Sequence, residues 1–446
     1  MAHLESTVQD SSSVETFDLA GDLDLEAQLT LTEKSSEPTR ITSAHEPHTL
    51  SADDPQNPKN WSSTRRITIN LILNIWVCAL TYSSTAYVAS IPTLMRRYNM
   101  SQEVAILGVT LTVLGFAAGP LLFGPASELY GRQAVYRLCG LLFSAFGFGA
   151  AFAPNAASLL IFRFLVGFFG SASINNVPAS IGDLTSPLER GRYTIAYGLF
   201  AFGGPSLGPL ASEFIQEYTD FRWNLLVMAM FSAVFSILVA LVPETHGPTL
   251  LKWRIAKEGK APPPLHFTKI MAVFKIALSR PIIYLFTEPV VTLISLYLSV
   301  LYGILYGFFE AFSVVYLDIR GFRNTSFGLT YIALGTGFCV ASIVFGTLGQ
   351  ALFSCGMLLI FCGFVPYLID CYQMTAASAL AAGMASRALV GSVFPLFTLQ
   401  MYHTLGVQGS TSLLGGIACL LAPLPFIFRV YGRSMRERSK YTAINN

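Results

Sequence analysis

Eleven apolar stretches follow one another from Ile67 to Val430, separated by short polar links. About 20 apolar residues in a helix cross the roughly 30 Å hydrocarbon core of a bilayer. Lipid offers the backbone no hydrogen-bond partner, so only helices and closed barrels can span it. The runs are continuous rather than alternating, which predicts helices. Spans are expected at 67–91, 104–126, 134–153, 157–180, 194–216, 223–242, 283–317, 326–348, 351–369, 376–399 and 409–428. The region from Pro289 to Tyr316 reads as one long helix through Gly303 and Gly307, because nothing polar enough to be a loop divides it. The fold class is therefore an all-α polytopic membrane protein.

Charge in the links orients the chain. Arg132 and Arg137 follow the second run, Arg190 and Arg192 the fourth, and seven basic residues between Lys252 and Arg280 the sixth. Basic links face the cytoplasm, which places the N-terminus and these loops inside. The pair Arg96 and Arg97 on the outer side is a mild exception. Parity fails in the second half: eleven crossings put Arg429, Arg433, Arg436, Arg438 and Lys440 outside, against the charge rule. Either a helix is missing near Gln350 or a segment there does not cross.

Composition agrees and adds little. Hydrophobic residues make up 53% of the 446 and charged residues 12%, against about 25% in a soluble domain. Twelve of the 26 acids lie in the first 60 residues, so 1–56 is expected to be a disordered cytoplasmic tail. No secretory signal opens the chain, so the first span is expected to start insertion. Pro58 to Trp61, with Arg65 and Arg66, mark the approach to the membrane. A net charge of +2 gives no case for nucleic acid. Seven cysteines lie in or beside apolar runs without metal spacing and read as buried small hydrophobes.

Several segments carry more. Small residues and an acid before an arginine occur in Gly124-Pro-Ala-Ser-Glu128-Leu-Tyr-Gly131-Arg132. Arg163 interrupts the apolar run 161–171, and Gly203, Gly204, Pro205, Gly208 and Pro209 crowd the fifth span. With Asn57 to Trp61, Tyr302 to Glu310 and Tyr367 to Tyr372, these resemble, in family order, the major facilitator superfamily, specifically its fungal drug:proton antiporters of twelve spans. The resemblance covers 57–446. Glu128 departs by standing where many members have Asp.

That resemblance implies a major facilitator fold of two helical bundles, 57–242 and an incomplete 282–430, joined by a basic cytoplasmic linker at 243–281, with a cytoplasmic tail at 431–446. It also implies that the missing helix is the ninth span, with its charged loop, between Gln350 and Ala351.

An ionisable group inside a span is expensive and marks function or structural pairing. Arg163 and Glu310 are the candidates for proton coupling, against a purely structural arginine and a merely paired acid. Gly124, Glu128, Gly131, Arg132, Asp183 and Arg190 are candidates for the cytoplasmic gate. Gly204, Pro205, Gly208 and Pro209 must bend the fifth span or form a tight packing seam, since proline removes a donor and strains the preceding turn. Asn175, Asn176, Tyr302, Tyr367, Gln400 and Tyr402 are candidates for the substrate cavity; the many Phe and Tyr residues fit an adaptable cavity or lipid-facing packing equally. Among the sequons, Asn60 is cytoplasmic, whereas Asn99 and Asn324 fall outside and are candidates for glycosylation.

The function these features imply is proton-coupled efflux of small, largely apolar organic compounds at the cell membrane. The alternatives are import, a carrier of polyamines or another metabolite, and an inactive truncated carrier. A small molecule, protons and lipid are the expected partners of a monomer that is not an enzyme, with no cofactor or metal.

Overall fold

The computed structural model describes residues 50, 54–259, 267–313, 315–316, 320–343, 364, 368, 376–421, 423–424 and 431. They lie within one unit, His48–Asn446, and among them no strand occurs. The segment around Gln350, Tyr367, the expected tail at 1–56 apart from residues 50 and 54–56, and the C-terminal tail beyond Tyr431 lie outside the described residues.

The first half follows its local signals closely. Helix α1 (Ser63–Ala86) starts where Ser62 Oγ accepts the Arg65 amide, while the Arg65 guanidinium lies 3.8 Å from the Trp61 ring centroid. A short 3₁₀ turn leads into α2 (Ile91–Tyr98), which ends on Asn99 at φ 49. Helix α3 (Gln102–Tyr130) is capped by Ser101, and α4 (Arg132–Ala151) follows after Gly131 alone. Helix α5 (Ala156–Leu184) opens on a reciprocal capping box between Asn155 and Ser158. Helix α6 (Pro187–Tyr218) begins with proline at its first position, where the absent N–H costs nothing. Asp220 then caps α7 (Phe221–Ala240).

The linker is more structured than a charged loop requires. It holds α8 (Gly247–Lys257) and α9 (Phe267–Thr287), and α9 runs across residue 281 without a break. Met271, Ile276, Leu278, Ile282 and Phe286 are exposed on α9, as suits a helix lying against lipid. Helix α10 (Pro289–Ser313) passes through Gly303 and Gly307 as expected. Helix α11 (Asn324–Ile343) precedes the undescribed segment. Helix α12 (Ala376–Leu421) breaks at Gly406, φ 68, and so provides two spans.

Eight helical stretches among the described residues are long and apolar enough to cross a membrane. The chain is a multi-pass membrane protein. In the first half α1 packs on α6, α3 on α5 and α4 on α7; α10 packs on α12. Among the described residues the halves meet most extensively where α3 packs on α12 and α6 on α11. Lipid is as apolar as leucine, so these seams depend on close packing of small residues rather than on hydrophobic burial. Cys78 and Cys139 are buried, as small hydrophobes should be; Cys419 is exposed, because its helix turns that face outward.

Candidate functional site

One end of the first half is built around the one-residue link between α3 and α4. Gly131 sits at φ 93, and a Cβ there would strike Glu244 Oε2. Glycine is therefore required twice over, by its left-handed conformation and by the close approach. Arg132 donates to Ser127 Oγ and pairs with Asp183 at 3.3 Å. Glu128 is exposed one turn earlier and acts on Arg132 electrostatically, without a hydrogen bond. The acid that meets Arg132 is thus on α5, not four residues back. Gly124 stands 3.0 Å, at its absent Cβ, from Asn175 Nδ2.

Glu244, from the start of the linker, closes this network. Its carboxylate accepts from the amides of Arg132 (3.0 Å), Gln133 (3.1 Å), Thr245 (2.9 Å) and His246 (2.8 Å). It caps α4, where negative charge is favoured by the helix dipole. Tyr136, Ser180 and Thr245 form a buried hydroxyl chain beside it. Burial and the cations of Arg132 and Lys252 push His246 down to about 4, so that imidazole is neutral at physiological pH. Glu244→Gln puts an NH₂ group against one of those amides. It should lower stability by about 1–3 kcal/mol, read as a lower unfolding midpoint in detergent, and an unchanged midpoint would refute the capping role.

Nearby, Arg66 donates to Leu184 O and pairs with Glu189 at 2.6 Å, tying α1 to the α5–α6 link. Arg190 is half-buried, and its Nε has no partner among the described residues.

Deep in the bundle, Arg163 on α5 is 1% exposed. Its Nε donates to Gly108 O (3.2 Å), and Nη1 to Ser83 O (3.0 Å) and Ser83 Oγ (3.4 Å). The guanidinium lies 4.6 Å from the Tyr87 ring centroid, and Nη2 has no partner among the described residues. A small hollow lined by Ser83, Met228 and Ser232 adjoins it. Among the described residues no carboxylate pairs with Arg163, and three helices hold the cation by carbonyl, hydroxyl and aromatic contacts.

The glycines and prolines of α6 form the seam with α1. At Gly204 a Cβ would strike Thr81 Oγ1 and approach Cys78 O to 2.9 Å; at Gly208 it would strike Thr85 Oγ1. Pro209 has no N–H for the carbonyl four residues earlier, which belongs to Pro205. Thr85 Oγ1 supplies that missing partner at 2.9 Å. The motif is a bonded joint between two helices.

Between the halves lies a narrow space lined by Asn175 and Tyr197 from the first half and by Leu298, Met384 and Arg387 from the second. Tyr302 is buried with its ring 5.2 Å from the Arg387 guanidinium. Tyr306 bridges Tyr302 to Ser84 Oγ at 3.1 Å, crossing from α10 to α1. Of the expected lining residues, Asn175 lines this space and Tyr302 lies next to it, against Arg387. Asn176 instead donates to Phe123 O and holds α3 against α5. Gln400 is exposed, and Tyr402 packs with Ile304, Met401 and Leu414 apart from this space. Glu310 lies in α10, Asn324 opens α11, and Asn99 is exposed.

Glu213 and Arg387, 4% and 8% exposed, are buried charges that the sequence reading passed over. The signal was present, since each interrupts an apolar run as Arg163 does.

A family model described as Major Facilitator Superfamily matches residues 71–423. The chain is 34% identical to the efflux pump FUB11 of Gibberella moniliformis, over 88% of this chain and 77% of that one. It is also 34% identical to the major facilitator superfamily multidrug transporter mdrA of Aspergillus fumigatus, over 88% and 75%. Among solved structures, the proton:xylose symporter XylE bound to 6-bromo-6-deoxy-D-glucose matches with a TM-score of 0.60 at 16% identity, covering 83% of this chain and 96% of that one. That likeness concerns the fold alone. With the helix pairing, the glycine–proline joint and the inter-half space in place, the family match is consistent throughout: the chain belongs to the Major Facilitator Superfamily.

Proposed function

We propose that this protein exports small, largely apolar organic compounds across the plasma membrane in exchange for protons. The observation that carries the reading is the space between the halves, apolar with a few polar groups (Asn175, Tyr197, Arg387) drawn from both sides. A site shared by two bundles is exposed to each side in turn when they rock about it. The halves at 57–242 and 282–430 are the rocking units, the 243–281 linker joins them, and Arg163 with Glu310 conveys the proton. The names of the efflux-pump relatives support export as the direction. Asn99 and Asn324 are the outward glycosylation sites, and the carrier works as a monomer.

Inside-out membrane vesicles test this. Uptake of drug-like amphiphiles should rise when the lumen is acidified and fall when an ionophore collapses the gradient. Gradient-independent uptake would overturn proton coupling, and selective uptake of polyamines would move the cargo class.

One observation favours a second reading, a carrier lacking its ninth span. The alignment with FUB11 runs over 454 positions but takes in only 88% of the 446 residues here. About 60 positions of the relative therefore face no residue of this chain, room for one span of about 20 residues with its loops. Loop-charge parity in the sequence is the separate reason for setting that loss near Gln350. Sequencing the expressed message across codons 345–355 decides between an additional coding segment and an incomplete carrier.

A further inference from the structure

Glu213 has no place in the proton path just described, yet its position is unusual. It lies near the outer end of α6, where that helix crosses α11 from the other half, and is 4% exposed. Directly opposite is Gly328: a Cβ there would stand 3.1 Å from Glu213 Cβ and 3.6 Å from Cγ. The two helices touch at this pair, so when the seam is closed there is little room for water beside the acid. Glu213 makes no hydrogen bond or ion pair among the described residues.

Its surroundings do not compensate a charge. One turn further out, Glu217 faces the same way and already pairs with Arg323 at 3.0 Å, whose side chain is 80% exposed in solvent. From α2 and the turn before it come neutral groups, Thr93 and Ser90, both engaged by Gln216. Arg97, Asp220 and Arg222 act on Tyr98 instead. From α11, the partner at this level is glycine. An uncompensated carboxylate is costly to bury, whereas the neutral acid is not.

We propose that Glu213 is a proton-binding group of the outer seam: the α6–α11 contact closes on the neutral acid and opens when the acid ionises. The assignment rests on the alternating movement of the two halves proposed above and adds a second proton site at its outer face. Closing strips water from the carboxyl and so selects the protonated form. By reciprocity, protons outside favour the closed seam. An acidic exterior would drive the carrier toward its inward-open state, ready for cargo from the cytoplasm. That is the direction an exporter powered by entering protons needs.

The test reads the seam without any substrate. Gly335→Cys, in a background with the seven native cysteines replaced, puts a thiol opposite Ser206 with room for its Cβ. Labelling by a membrane-impermeant maleimide from outside, corrected for reagent reactivity with an exposed control thiol, measures opening. Between about pH 8 and about pH 5, labelling should fall at least about fivefold. Glu213→Gln should abolish that dependence and leave labelling low, Glu213→Asp should restore it, and Glu217→Gln should retain it. An absent pH response in the parent, or an undiminished one in Glu213→Gln, overturns the proposal. If labelling behaves as stated while vesicle transport fails, the export reading is wrong and the proton site stands.

Discussion

Arg163→Leu is expected to fold, to insert and to transport at least about tenfold more slowly than the parent, a loss of ~1.4 kcal/mol or more in the cycle's limiting barrier. The argument starts from cost. An arginine at the centre of a span is unfavourable by about 2.5–3.5 kcal/mol on insertion scales. Among the described residues it has no carboxylate, and is held by carbonyls on α1 and α3, the Ser83 hydroxyl and the face of Tyr87. Replacing a buried charge by an apolar side chain of similar bulk is often neutral or stabilising. A residue kept for structure would thus be better as leucine. Retention of the cation under that pressure is the mark of a functional group. Arg163→Lys should fail as well, because one ammonium cannot reproduce the guanidinium fork that reaches two helices at once. Unfolding midpoint and vesicle uptake, measured on the same preparations, separate the two readings. A destabilised leucine variant, or one that transports like the parent, would leave the arginine a structural part only.

Gly208→Ala is expected to cost about 1–3 kcal/mol through overpacking, whereas Gly203→Ala, five residues earlier on the same helix, should be neutral or gain up to ~1 kcal/mol. The two glycines look alike in the sequence. A Cβ at Gly203 meets nothing within 4 Å. At Gly208 it would strike Thr85 Oγ1 and come within 2.8 Å of Ala86 N and 3.0 Å of Tyr82 O. Two of those three neighbours are backbone and cannot swing aside, so α1 and α6 must separate. Separation also pulls Thr85 from the Pro205 carbonyl, which Pro209 has left without its helical partner. Unfolding midpoints of both variants in one detergent give the comparison, and efflux should fall in Gly208→Ala alone. Equal effects at both positions would remove the joint as an explanation of the motif.

These two cases show what could be read early. Arg163 stood out because a single charge interrupts an apolar run, and that signal is local. The same signal marked Glu213 and Arg387, but each was overlooked because it fell outside a familiar motif. The role of Glu244 could not be read at all. It caps Arg132 from 112 positions away, and nothing in either segment names the other. Local spacing does not name the partner of Arg132 either, since Glu128 lies one turn back while the bonded acid is Asp183 on another helix. Asn176 was a reasonable cavity candidate until the α3 carbonyl of Phe123 claimed it. Gln400 and Tyr402 failed to join the cavity for a related reason: facing direction around a uniformly apolar helix leaves little trace in hydropathy.

Hydropathy and length alone determined that this chain crosses a membrane many times as helices. A bilayer imposes one length and one backbone solution on every span, so each run can be judged without its neighbours. Loop charge gives the expected orientation of the first six spans in the same residue-by-residue way. Tertiary structure alone decided which glycine touches a backbone, which carbonyl Thr85 completes, and which acid is closed in without a counter-charge. Those outcomes depend on the rotation of one helix against another, and van der Waals contact between small side chains sets that rotation. In lipid every helix face is apolar, so the sequence of a single helix does not specify its partner; only the packed pair does.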